Sequence, residues 1–266
     1  MSEFATITCV TDLGTEDESV GLLRSILHEL SPASRVIDLC HHIEPNDVRG
    51  GALMLARSVP YLSPGLVLAS VGELAGRPAI AVSVGEGQSI LVGPDNGLLG
   101  AAVAVVGGAS QAVQLTNEDF HNPSPGVVHP ARDVIAPAIG HLGSGVSLLE
   151  LGEQIDPSLL LPSLIPMPRE EDDGAISAEV IRRTRQGAAQ LNIDRDTLSG
   201  FGEVIILEFG GDQRVVRLQH PADVNPGQLA LVDDEYGLLA IATGQQEGIV
   251  PSELSVGAEV IVREAT

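Results

Sequence analysis

Through its first 160 or so residues the chain alternates continuous apolar, β-branched runs with stretches whose apolar residues recur every three or four positions, and then that alternation stops. "ATITCV" reads as a buried strand, and "SVGLLRSILHEL" sets Val20, Leu23, Ile26, Leu27 and Leu30 on one side of a helix. "RVIDLC" is a second strand, followed by the helical "NDVRGGALMLARSVPYL", whose start Asn46 or Asp47 can cap. "GLVLASV", "AIAVSV" and "SILVGPDNGLLGAAVAVV" follow, and "ARDVIAPAIGHLGSG" reads as a further helix with a glycine stop. Strands separated by helices imply βαβ units, hence an α/β domain with a mostly parallel sheet over residues 1–162. The four prolines and acidic run of "DPSLLLPSLIPMPREEDDG" mark a break, and residues 163–174 read as a linker. From 175 to 266 only short strands remain, among them "AISAEVIRR", "GEVIILEF", "QRVVRLQ", "QLALVDDEYGLLAIAT" and "AEVIVRE". These predict a small all-β domain, a barrel.

Charge narrows the partners. Against 36 acidic residues stand 14 basic ones, all arginine, for a net charge of −22. A nucleic-acid partner needs a basic surface, so that class is excluded. With no tryptophan and only four Phe and two Tyr, rings for stacking on a base are few. No apolar run reaches the ~18 residues of a membrane span, and no basic-then-apolar leader opens the chain. The expectation is a cytoplasmic protein without a membrane partner. Its two cysteines, Cys9 and Cys40, lie in apolar runs and are expected to be reduced. Neither has zinc-ligand spacing.

The stretch "VTDLGTEDESVG" puts Asp12 where the first strand ends, the place where open α/β sheets bind ligands. A phosphate site would offer glycines and backbone N–H groups there, whereas acid suits a hydroxyl-rich, neutral or cationic ligand. Glu16, Asp17 and Glu18 read as first-turn acids and solvated surface. His41 and His42 are adjacent on a strand and point to opposite faces, so they read as structural rather than as a metal pair.

Three motifs, "TDLGTEDESVG", "VIDLCHHIEPNDVRGGALMLARSVPYLSPG" and "VGPDNGLL", in this order and spacing, resemble the S-adenosylmethionine hydroxide adenosyltransferases, relatives of the fluorinating and chlorinating enzymes. The resemblance is dense over residues 5–100 and thins to a pattern in the β-domain. It implies a homotrimer whose site lies between one subunit's N-domain and a neighbour's C-domain, with S-adenosylmethionine as substrate and neither cofactor nor metal. The implied chemistry is attack at the ribose C5′ with methionine leaving. It implies that Asp12 accepts the ribose hydroxyls of a small-molecule nucleoside. Ser19 matches a position near the methionine end, and a plain helix-start serine is the other reading. Asp95 and Asn96 in "PDNG" match the site wall, and the same four residues make a tight turn.

Elsewhere the pattern breaks. Hydrolases carry "VDPGVG" followed by an arginine; here the stretch is "VGELAGRP", with Gly72 at the aspartate position, Glu73 beside it and Arg77 at the arginine. The histidine of "HGRD" aligns with Pro130 in "VVHPARD", one place after His129. Glu73, His129 and Arg77 are therefore the candidate catalytic residues, Glu73 and His129 as a rebuilt acid–base pair. In the β-domain the adenine-reading asparagine is Ala188, the nearby aspartate Thr184, the later serine Glu235 and the glutamate Ala240. Arg182, Arg183 and Arg185 read as an exposed basic face, or as contacts to a changed ligand. Asn46 stands where the fluorinating enzyme has tryptophan, which argues against a halogenase. Two readings stay open: a hydrolase releasing adenosine and methionine, or a nucleoside-binding trimer that is non-catalytic or takes another substrate.

Overall fold

A computed structural model describes residues 4–74, 76–244 and 250–265. The chain divides into two compact units, Met1–Leu164 and Ile165–Thr266. In the first, strands β1 (Thr6–Thr11), β2 (Arg35–Cys40), β3 (Leu66–Ser70), β4 (Ala79–Val84), β5 (Ser89–Pro94), β6 (Ala109–Gln114) and β7 (Glu153–Ile155) form one sheet in the order β2-β1-β3-β5-β4-β6-β7. β2, β1, β3 and β5 pair in parallel. β4 runs antiparallel to β5 and β6, and β7 antiparallel to β6, so five of the seven strands share one direction. The sheet is mostly parallel, as the alternation predicts.

Period-two geometry explains its two cores. Ile7, Cys9, Leu66 and Leu68 face one side, where α1 (Ser19–Leu30) and α4 (Ala136–Gly143) bring Leu23, Leu27, Ile139 and Leu142. Val10, Val67 and Ala69 face the other, against Leu55 of α2 (Val48–Ser58) and Ala102 of α3 (Gly100–Val105). Each fully buried Leu or Ile contributes about 1.5–3 kcal/mol. Asp47 caps α2 by accepting the Gly50 N–H at 2.8 Å. The helix expected over 131–145 begins instead as a π-helix, Pro130–Ile135, before α4. Pro137 explains the change: without an N–H it cannot donate to the Asp133 carbonyl, which accepts from Asn122 N at 2.8 Å instead.

The second unit holds β8 (Arg169–Glu170), β9 (Ile176–Arg183), β10 (Ala189–Asp194), β11 (Val204–Phe209), β12 (Asp212–Gln219), β13 (Leu229–Asp233), β14 (Leu238–Thr243) and β15 (Glu259–Glu264). β10, β14, β13, β12, β11, β15 and β9 pair in turn, and β9 returns to β10, closing a seven-stranded barrel. Val180, Leu191, Ile205, Leu207, Leu231, Ile241, Val260 and Val262 fill it. β8 falls inside the stretch read as a linker and pairs with the start of β9 across a turn closed by Glu171 N to Ala175 O. Among the described residues no helix is long and apolar enough to cross a membrane.

Candidate active site

Asp12 follows the last residue of β1, at the carboxyl edge of the parallel strands, and is half-buried. Its own N–H bonds the Ser70 carbonyl at the end of β3, 3.2 Å away. Its Oδ2 accepts two backbone N–H groups, from Asn46 at 2.9 Å and Gly72 at 3.0 Å. Both donors adopt left-handed backbone, with φ of 63° and 72°. Oδ1 takes no hydrogen bond among the described residues. A carboxylate held by one oxygen with the other unclaimed is a fixed acceptor.

Gly72 shows why an aspartate is missing there. A Cβ would lie 2.7 Å from Cγ2 of Val48, and the left-handed φ disfavours any side chain. The neighbouring loop is fastened by Asn96, whose amide donates to the carbonyls of Val71 at 3.0 Å and Glu73 at 3.1 Å while its Oδ1 accepts from Leu98 N at 3.1 Å. Asn96 thus ties the "PDNG" turn to the loop behind Asp12. The Glu73 side chain is exposed.

Asp95, one residue earlier, is buried with both oxygens in use. Arg77 Nε donates to Oδ2 at 2.7 Å, and Leu161 N donates to Oδ1 at 2.9 Å. Arg77 Nη2 also donates to the Leu159 carbonyl at 3.3 Å. This pair fastens residues 159–161 against the end of β5, beside a mainly apolar cavity of about 160 Å³ lined by Ile80, Pro94, Leu99, Val103 and Leu160.

His129 caps the π-helix: its exposed ring accepts the Arg132 N–H at Nδ1, 3.4 Å away, so the neutral ring carries its hydrogen on Nε2. Its own N–H donates to Asp133 Oδ2 at 2.8 Å. Asp133 is buried and gripped by Arg132 through both oxygens, at 2.6 and 2.8 Å. That grip holds its carboxyl below the usual range; burial opposes it, and the His129 N–H adds to it. Ser19 opens α1, and its N–H donates to Asp17 Oδ1 at 2.9 Å. Asp17 is held below the ordinary carboxylate range, first by that bond and then by the Ser19 hydroxyl. Asp12, Glu73, Asn96 and the Arg77–Asp95 pair are therefore linked around the ends of β1, β3 and β5, while Ser19 bonds Asp17 and His129 bonds within its own π-helix. Among the described residues no hydrogen bond joins Glu73, Arg77 and His129 to one another.

In the barrel, Thr184 and Ala188 close the β9–β10 hairpin. Thr184 N donates to Ala188 O at 2.9 Å, and Ala188 N to Thr184 Oγ1 at 3.0 Å. Arg183 donates to the carbonyls of Val250, Pro251 and Leu254, so it serves the barrel rather than an open face. Ala240 lies opposite Gln190, a buried amide that donates to Asp234. Sequence reasoning passed over Gln190, which carries no motif, and read the "HGRD" match for its histidine alone, leaving Arg132 and Asp133 without a role. Among the described residues no group of three His, Cys, Asp or Glu side chains could hold a metal ion.

A mostly parallel α/β unit followed by a closed barrel, with a fixed acceptor at the strand ends, defines a two-domain protein with a candidate site at the end of β1. The comparisons make the class specific. Residues 7–152, more than half of the chain, match the SAM hydroxide adenosyltransferase N-terminal domain. The (R)-S-adenosyl-L-methionine hydrolase of Salinispora tropica is 37% identical over 236 residues, 89% of this chain and 89% of that protein. The enzyme of the same name from Thermus thermophilus is 29% identical over 89% of this chain and 91% of its own. A solved structure of an uncharacterised conserved protein from Thermotoga maritima superposes with a TM-score of 0.81 at 24% identity, over 96% of this chain and 99% of that one, which shows the shared fold. The chain belongs to the SAM hydroxide adenosyltransferase family.

Proposed function

We propose that this protein hydrolyses S-adenosylmethionine to adenosine and methionine. Water attacks C5′, a C–O bond forms as the C5′–S bond breaks, methionine leaves with the electron pair, and one proton is released. The sulfonium is already a good leaving group, so the protein's work is to hold the ribose, line up the water and exclude bulk solvent. No cofactor is required. The observation that carries the reading is the half-claimed carboxylate of Asp12 in a member of this family. Its free oxygen and fixed orientation suit a vicinal diol, each bond to such a charged acceptor being worth about 1.5–3 kcal/mol.

Asn96 supports the wall behind the ribose, Asp95 with Arg77 braces it, and Ser19 lies toward the methionine end. Glu73 is the exposed carboxylate nearest in sequence to that wall and receives the water's proton. The Nε2–H of His129 donates to the water rather than taking its proton, because the ring's lone pair is engaged at Nδ1. Three copies of the chain build the working form in the cytoplasm, a neighbour's barrel supplying the base-side contacts. Incubation with S-adenosylmethionine should yield adenosine and methionine in equal amounts on chromatography, and Asp12→Ala should abolish both. Absence of adenosine with the wild-type protein would overturn the reading.

A further inference from the structure

Beside Asp12 runs a polar chain, buried at Thr11 and His41 and open to solvent at Asp38 and Arg24, that the proposed chemistry does not use. Arg24 on α1 pairs with Asp38 on β2, donating through Nε at 3.3 Å and also through Nη2. Asp38 Oδ1 lies 2.9 Å from His41 Nε2, and His41 Nδ1 lies 2.8 Å from Thr11 Oγ1. His41 is 6% exposed and Thr11 is fully buried. Thr11 is the last residue of β1, immediately before Asp12.

The direction of every proton in this chain follows from its ends. Asp38 is ionised: burial pushes its carboxyl up, but the hydrogen bonds from Arg24 and His41 and the charge of Arg24 outweigh burial and hold it below the usual range. An ionised carboxylate only accepts, so His41 Nε2 carries a hydrogen and the neutral ring's Nδ1 accepts from the Thr11 hydroxyl. The Thr11 oxygen is then free to accept, and the Leu13 N–H lies 3.4 Å from it. The His41 carbonyl meanwhile accepts the Gly14 N–H at 2.7 Å. Of the four residues 11–14, Thr11 and Gly14 bond to His41 and Leu13 reaches it through Thr11. The fourth is Asp12, whose N–H goes to Ser70.

We infer that His41, acting through Thr11, is a positioning residue that aims the free oxygen of Asp12 at a sugar diol. The inference rests on the ribose role of Asp12 proposed above. Stability alone does not demand a polar contact between side chains as buried as Thr11 and His41, where apolar groups of the same shape serve nearly as well. What the polar chain adds is direction, because hydrogen bonds fix angles that apolar contacts leave loose.

The test is the ratio of dissociation constants for 2′,3′-dideoxyadenosine and adenosine, measured by calorimetry. In the wild type that ratio should be at least about 100, because two hydroxyl contacts to a charged acceptor are lost. Thr11→Val keeps the branched outline and removes the hydroxyl. It should lower the ratio about tenfold by weakening adenosine alone, and Thr11→Ser should restore it. His41→Phe should match Thr11→Val. In an Asp12→Ala background neither change should alter the ratio further, since the residues act as one unit. A merely structural role would lower the melting temperature of Thr11→Val and leave the ratio at its wild-type value, which overturns the inference. A wild type that binds the two nucleosides equally overturns the ribose reading itself, and the positioning role with it.

Discussion

β1 and β5 lie in the same parallel set, and each is followed at its carboxyl end by an aspartate, yet the two ends are finished in opposite ways. At β5, Asp95 is buried with an arginine on one oxygen and a backbone N–H on the other. At β1, Asp12 is half-buried, with two N–H groups on one oxygen and, among the described residues, none on its twin. The β5 carboxylate is spent on holding a loop, and the β1 carboxylate keeps one oxygen for the ribose proposed above. Position at a strand end is thus insufficient to make an acid a ligand-binding group. The count of unclaimed lone pairs decides.

The sharpest way to break that contrast is Asp12→Ala. Losing two charge-assisted contacts should lower kcat/KM for S-adenosylmethionine by at least about 100-fold, from steady-state rates, with a much smaller change in stability. Asp95→Ala should do the reverse. It strands Arg77 beside a buried void and should cost about 3 kcal/mol in urea unfolding, below the top of the range for such losses because the arginine is partly exposed. Gly72→Ala should cost about 1–3 kcal/mol through its left-handed φ and the contact with Val48, moving an N–H off Asp12. For the same reason Gly72→Asp should depress activity rather than improve it.

The smallest effect concerns acid. Asp133, spent like Asp95, has a folded value below its unfolded one, so the stability it contributes is complete above about pH 4 and lost as pH falls through the lowered value. Asp133→Asn should flatten that acid limb in unfolding curves recorded between about pH 5 and 2. An unchanged limb would break the assignment of Asp133 to the spent class.

How far the sequence foretells this follows from the range of each interaction. β1, α1, β2 and α2 are readable because local periodicity and a cap at Asp47 specify them. β10 is passed over because it has no continuous apolar run, although Ala189, Leu191 and Ile193 alternating with Gln190 and Asn192 give it the period-two pattern of a strand. The π-helix escapes because it depends on Pro137 withholding a donor and on Asn122 supplying one from a separate segment. Asp12 stands out as a strand-end acid. That Asp95 is spent cannot be read locally, because its partners lie 18 and 66 residues away. The directional chain through His41 joins residues up to 30 apart, and the two histidines, read from sequence as lying on a strand, in fact follow the end of β2 at Cys40, so their pattern gives no hint of it.

A crystal structure of the protein with adenosine tests the central claim most directly. The expected result is a ribose hydroxyl about 2.5–3.0 Å from Asp12 Oδ1, with Oδ2 still on the N–H groups of Asn46 and Gly72. A nucleoside bound with its sugar away from Asp12, or a carboxylate that turns to give both oxygens to backbone, would contradict it.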